Sequence, residues 1–157
     1  MIQIRKGGPE DIPAAFKLVK ELAIFEKAPE QVITSEKIYT EDAFGGDNPW
    51  FEFFVAEDEN AGIVGVSIFY FGYSTWKGRM LYLDDLVINE AHRRKGIGKM
   101  LLDRLVAYGK EKGVNQMRWQ VLDWNTPAIK LYEKVGASIE DEWLDCKLSK
   151  EQLEGWR

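Results

Sequence analysis

The sequence predicts an α/β fold, with helices packed on a mixed central sheet. Three observations predict it. Residues 80–88, Met-Leu-Tyr-Leu-Asp-Asp-Leu-Val-Ile, form an apolar, β-rich run with the length of a buried strand, and the stretch His92-Arg93-Arg94-Lys95-Gly96-Ile97-Gly98-Lys99 follows closely. Leu101, Leu102, Leu105 and Val106 then recur at helical spacing, so the order is strand, basic glycine loop, helix. Elsewhere strand-like and helix-like stretches succeed one another with no linker, repeat or low-complexity segment, and 157 residues suffice for one domain over residues 1–157 with a core of its own.

Taken in order, residues 2–5 read as a first strand ended by Gly7-Gly8. Pro9, Glu10 and Asp11 give the proline and acidic first turn that favour a helix start, and Phe16, Val19, Leu22 and Ala23 continue its apolar face until it ends between Phe25 and Pro29. Thr34 is the expected N-cap of a second helix that runs towards Phe44 and stops at Gly45-Gly46. Residues 50–57 and 63–71 are two strands joined by the polar turn Asp58-Glu59-Asn60-Ala61-Gly62, a hairpin, and residues 73–79 lead into the strand at 80–88. Beyond the helix that follows the glycine loop, residues 116–122 are a further strand. Pro127 then suits the first turn of a helix and Gly136 its C-terminal cap, with Ala128, Leu131, Tyr132 and Val135 on one face. Residues 138–148 can form a last strand and residues 150–156 a short helix.

Composition narrows the function. Hydrophobic residues at 45% and charged residues at 30% exclude wholesale disorder. No apolar run reaches membrane-spanning length and the first residues carry no signal-peptide stretch, so no membrane partner and a cytoplasmic location are expected. A single cysteine, Cys146, precludes an intrachain disulfide and a cysteine-based zinc cluster. The one histidine, His92, is assigned to packing beside the glycine loop, and no metal is implied. A net charge of −5 repels nucleic acid and attracts cations, which suits a polycationic substrate.

Glycines at 96 and 98 allow a sharp turn and close backbone approach, and the first helical turn leaves N–H groups without intrahelical partners, so this loop is an anion site. It is neither a Walker loop, because Met100 stands where a hydroxyl would hold Mg²⁺, nor a dinucleotide fingerprint, because Leu101 stands where the third glycine belongs. What remains is Arg-x-x-Gly-x-Gly from Arg93. At this point the chain resembles the GNAT superfamily of N-acetyltransferases, whose R/Q-x-x-G-x-G/A loop holds the pyrophosphate of acetyl-coenzyme A. A second stretch, from Asp123-Trp124-Asn125 through Ala128, Leu131 and Tyr132 to Gly136-Ala137, looks like that superfamily's second cofactor motif. Glu21-Leu22-Ala23, Glu26, Glu30-Gln31-Val32, Tyr73-Ser74-Thr75-Trp76-Lys77-Gly78-Arg79 and Leu122-Asp123-Trp124-Asn125 resemble the spermidine/spermine (diamine) N-acetyltransferases, in register over most of the chain and least after Ala137.

The resemblance implies a mostly antiparallel central sheet with helices on both faces, acetyl-CoA as co-substrate, a small cationic amine as acceptor and a homodimer. It assigns backbone around Leu86, Val87 and Ile88 to the pantetheine arm. The loop of Arg93, Arg94, Lys95, Gly96, Ile97, Gly98 and Lys99 is assigned to the pyrophosphate, and Asn125 with Ala128 to the cofactor's far end. Tyr132 falls on the family's general acid; Phe25, Glu26 and Asp84 fall on positions lining the acceptor groove. Asp84 stands where this subgroup usually has glutamate, so a water-relayed base replaces direct proton abstraction.

The chemistry also follows from the residues. An alkylamine with a pKa near ~10 arrives protonated and must lose a proton before its nitrogen attacks a thioester. Asp84 and Asp85 are adjacent on a strand, so their side chains leave opposite faces unless a bulge re-aims one. They are either a salt-bridged strand end or a cation site; two acids in an apolar strand are costly to bury and their field would hold an amine. The departing thiolate needs a proton or donor, which Tyr132 can give if it is not simply a core tyrosine, and a strand N–H near Leu86 is the oxyanion donor. Trp76, in a polar loop, walls the substrate groove or a dimer contact. The acceptor is a polyamine, a diamine or a lysine-like amino acid. The alternatives are an antibiotic, a protein N-terminus, or no acceptor at all in an acyl-CoA-binding sensor.

Overall fold

In β2 (Glu52–Asp58) the four consecutive residues Phe53, Phe54, Val55 and Ala56 are all buried. Successive strand residues face opposite ways, so this strand is covered on both faces. One cover is α1 (Ile12–Phe25), whose Ile12, Ala15, Leu18 and Val19 form a core cluster with Phe53 and Val55 and with Val66, Ile68 and Val87 of the neighbouring strands. The other is α3 (Ile97–Glu111), which buries Leu101, Leu102, Leu105 and Tyr108. Tyr108 packs its ring edge-on to Phe54 at 5.4 Å and to Phe69 at 5.7 Å. The computed structural model describes residues 1–157, which form two compact units, Met1–Gln120 and Val121–Arg157.

The first unit holds one five-stranded sheet in chain order: β1 (Ile2–Lys6), β2, β3 (Gly62–Ser74), β4 (Gly78–Ile88) and β5 (Gln116–Arg118). Neighbours from β1 to β4 are antiparallel, and β4 pairs with β5 in parallel across the α3 crossover. The expected fold class holds. The β2–β3 turn closes because the Asp58 carboxylate accepts the N–H groups of Asn60 and Ala61 at 2.9 and 3.0 Å while Gly62 takes a φ of +73°. Arg5 ties β1 to the start of α1: its fork donates to both Asp11 oxygens at 2.7 and 2.9 Å and its Nε to Glu57 at 2.7 Å. Asp11 is buried, and the Arg5 guanidinium holds its carboxyl below the usual carboxylate range.

Three local expectations change. The N-cap of α2 (Glu36–Phe44) is Ser35, whose Oγ accepts the Ile38 N–H at 3.2 Å; Thr34 is hydrogen-bonded to Tyr39 instead. β5 covers only residues 116–118 of the expected 116–122, pairing Met80, Leu81 and Tyr82 and ending short of a bulge in β4. Bulges increase strand twist, which carries β4 away from a straight neighbour. In the second unit, α4 (Thr126–Lys134) and α5 (Lys150–Glu154) form as expected, but residues 138–148 adopt no strand. A strand needs a hydrogen-bonded neighbour, and here Trp143 and Leu144 stand 71% and 89% exposed.

Candidate active site

The register of β4 against β3 changes at one place. Asp85 lies opposite Ile68 and Leu83 opposite Phe69, so Asp84 is an extra residue with no partner on β3. Ile68 belongs to the cluster under α1 and Phe69 to the rings against Tyr108, so the bulge switches which residues of β4 face which helix. Asp85 and Val87 thereby share the α1 side. Asp84 acts on the same side, since its charge raises the titration of Asp85, of Tyr39 on α2 and of Tyr70 on β3. A regular strand would have separated the two acids.

Asp85 is half-buried, and its carboxyl is pushed up to about 7, first by burial, then by the charges of Asp84 and of Glu26 at the end of α1. Asp84 is more exposed, and burial moves its carboxyl above the ordinary carboxylate value too. Glu26 moves the same way for the same reason. Asp85 is therefore close enough to both Asp84 and Glu26 to feel the charge of each, an arrangement that a cation relieves. Tyr39 completes this surface. Its ring packs edge-on to Phe16 at 5.0 Å and Phe51 at 5.2 Å, and burial with the charges of Asp85 and Asp84 pushes its hydroxyl up to about 12, so it remains a donor. The sequence did not single out Tyr39 or Tyr70; the signal for Tyr39 was a large aromatic in the middle of a helix rich in charged residues.

The glycine loop has the features an anion needs. Helix α3 begins at Gly96 with φ +78°, carries no side-chain cap and has no acidic residue in its first turn, whereas α2, α4 and α5 are capped by Ser35, Asn125 and Ser149. A methyl group added at Gly96 would meet nothing within 4 Å, so the approach to the backbone is open. Arg94 and Lys95 are exposed beside it, and Arg94 adopts a φ of +63°. The pyrophosphate of a coenzyme A fits these residues. Two expected side-chain contacts are otherwise engaged: Lys99 Nζ lies 2.7 Å from Asp103 Oδ2, and Arg93 stacks on Phe25. Leu86, Val87 and Ile88 lie on β4 beyond the last residue paired with β5, so on that edge their backbone is outside the β4–β5 ladder.

In the second unit, the Asn125 side chain accepts the Ala128 N–H at 3.4 Å and caps α4, so these two residues form one structural pair. Tyr132 is buried on α4, and its carbonyl accepts the Ala137 N–H at 3.0 Å where Gly136 ends the helix with a φ of +85°. Trp76 stands apart from the acids within one chain, which leaves the dimer contact of the two expected roles. It is 86% exposed in the turn between β3 and β4, and the strand from Gly78 to Asp84 places it roughly 20 Å along β4 from the acids at ~3.3 Å per residue.

Comparison with known proteins adds to this geometry. Residues 17–137 match the family model described as Acetyltransferase (GNAT) family. The chain is 37% identical over 161 residues to the thialysine N-epsilon-acetyltransferase of Mus musculus, covering 96% of this chain and 94% of that one. It is 33% identical over 160 residues to the spermidine/spermine N(1)-acetyltransferase-like protein 1 of Homo sapiens, which covers 96% of this chain and 23% of that protein. Among solved structures, an aminoglycoside acetyltransferase from an uncultured soil metagenomic sample superposes with a TM-score of 0.76 at 21% identity, covering 94% of this chain and 95% of that one, a likeness of fold.

Proposed function

The chain belongs to the acetyltransferase (GNAT) family and is an acetyltransferase for a small amine, and from that premise we propose that its acceptor is the primary amine of a small cation bound by Asp84, Asp85 and Glu26. The observation that carries this reading is the bulge at Asp84, which sets Asp84 beside Asp85 where the charge of Glu26 also acts on Asp85. The names of the mouse and human relatives, one for thialysine and one for polyamines, describe acceptors of that charge. A sensor without catalysis would need only the glycine loop.

Acetyl-CoA, when bound, supplies the acetyl group as an activated thioester. The uncapped first turn of α3 and the Arg94 to Lys99 backbone hold its pyrophosphate, and the open edge of Leu86 to Ile88 receives its pantetheine arm. Asp85 and Glu26 hold the ammonium group, whose charge draws Asp85 back towards its ionised form. Asp84, the more exposed acid, takes one proton from the ammonium through water, freeing the nitrogen lone pair to form the new N–C bond as the C–S bond breaks. Tyr132 would give its hydroxyl proton to the departing sulfur, and the second proton, which the nitrogen loses as the amide forms, restores that hydroxyl, so the net release is one proton through Asp84. The whole chain, residues 1–157, acts as one domain, a reading supported by a family match that runs from the first unit into the second. It acts as a homodimer, supported by the exposed Trp76, Trp143 and Leu144.

The test is release of free thiol from acetyl-CoA by the full chain with thialysine, lysine, diamines, polyamines and neutral amines. Cationic amines should be preferred, and preference for neutral or acidic acceptors would overturn the assignment. Sedimentation that shows only monomers would remove the homodimer.

A further inference from the structure

We propose that Arg93 is a positioning residue that couples the cofactor loop to the acceptor wall, so that filling the loop orders the end of α1. The inference rests on the cofactor reading above. The Arg93 guanidinium carbon lies 5.3 Å from the centroid of the Phe25 ring, while its Nε–H donates to the Ile88 carbonyl at 3.2 Å. One side chain thus spans two segments. Ile88 ends β4, three residues beyond Asp85, and Phe25 ends α1, next to Glu26, whose charge acts on Asp85. Arg93 itself opens the loop whose backbone approaches the pyrophosphate. An arginine in such a loop would be expected to meet the phosphates with its own fork, yet here the fork is turned to an aromatic face and a strand carbonyl.

The backbone marks the same two places. Lys27, with φ +62°, and Arg94, with φ +63°, are the two residues other than glycine at positive φ, one of them two positions after Phe25 and the other directly after Arg93. Left-handed backbone at such residues persists where surrounding contacts hold it, and it clusters at segments that change on binding. A cation over an exposed ring shifts an equilibrium by only about two- to fivefold. That is weak enough for a bound anion to reset: fixing the loop fixes Arg93, and Arg93 then pins Phe25 and the Glu26 beside it. Ordering of the acceptor wall then follows cofactor binding, and the linkage is reciprocal.

The test is hydrogen exchange at the backbone amides of Glu26, Lys27 and Ala28, which donate to Leu22, Ile24 and Ala23, measured on the full chain with and without coenzyme A. In the wild type, coenzyme A should slow their exchange about two- to fivefold. Phe25→Leu should still bind coenzyme A, weaker by no more than the roughly two- to fivefold coupling itself, and lose the slowing; Phe25 is already partly exposed, so the chain should fold. Arg93→Gln should lose it as well. Slowing that persists in Phe25→Leu, or a wild type that binds coenzyme A with no slowing, overturns the coupling alone. A wild type that binds no coenzyme A overturns the cofactor reading and the coupling with it.

Discussion

Replacing Asp85 with asparagine should stabilise the chain at neutral and alkaline pH while weakening its hold on a cationic acceptor. The carboxyl titrates at about 7 in the folded chain against 3.8 for an ordinary aspartate. A difference of about three units corresponds to roughly 4 kcal/mol at 1.36 kcal/mol per unit, and sharing of that repulsion with Asp84 and Glu26 brings the expected gain to about 2–4 kcal/mol. The sign follows from proton binding. Below pH ~4 both folded and unfolded aspartate are protonated and Asp85 costs nothing; between ~4 and ~7 only the folded state keeps the proton, so wild-type stability falls as pH rises, and above ~7 the full cost remains. The melting temperature of Asp85→Asn minus that of wild type should therefore be near zero at pH 4, grow through pH 7 and level off at about 4–16 °C. The assay is thermal unfolding of both proteins from pH 4 to 8.5. A difference independent of pH, or a variant less stable than wild type at pH 8, would refute the buried-acid reasoning. The acceptor KM should rise in the same variant, since the ammonium loses a charge partner.

Other expectations follow from single residues. Gly96→Val should abolish acetyl-CoA binding by calorimetry in a chain that still folds, because the added side chain enters open space in front of the loop and carries a positive-φ cost of about 1–3 kcal/mol; unchanged affinity would remove the loop assignment. Tyr132→Phe should keep acetyl-CoA affinity and lose roughly 10²- to 10⁴-fold in turnover at all pH values. Asp84→Asn should instead recover activity towards high pH, where the amine is already neutral; full turnover in both variants would return the two residues to packing and strand-end roles. Ser67→Ala should stabilise the chain by about 1 kcal/mol in denaturant titration, since the Ser67 hydroxyl is fully buried with no hydrogen-bond partner. A loss of stability would mean that the hydroxyl has a partner in solution.

Where a residue's fate is set by its neighbours in the chain, the sequence was readable. The Gly62 hairpin and the Gly136 helix end act within a few residues and stand where expected, while Pro9 to Asp11 form a 3-10 turn that leads into α1 at Ile12. The meeting of Asp84 with Asp85 was left open because it depends on register across β3, although the buried side facing α3 passing from Leu81 and Leu83 to Leu86 already breaks the alternation of two. Tyr39 was missed for a similar reason, since its significance comes from acids more than forty positions away. The strand expected at residues 138–148 failed because alternation describes a face to be covered and supplies no neighbour to cover it.

The order of strands in the sheet is also the order of strands in the chain, and this bears on how the molecule assembles. β2, β3 and β4 can zip together as successive hairpins, each closing a short loop at small entropic cost. β1 cannot join them so cheaply: Ile4 sits opposite Ala56, with α1 and α2 lying between them in sequence. Local pairings tend to come early and distant ones late, so β1 is expected to dock after the barrier has been crossed, with the Arg5 contacts to Asp11 and Glu57 as its latch. Loosening that latch should leave the folding rate almost untouched and appear as faster unfolding, making Arg5 a determinant of the native state's lifetime.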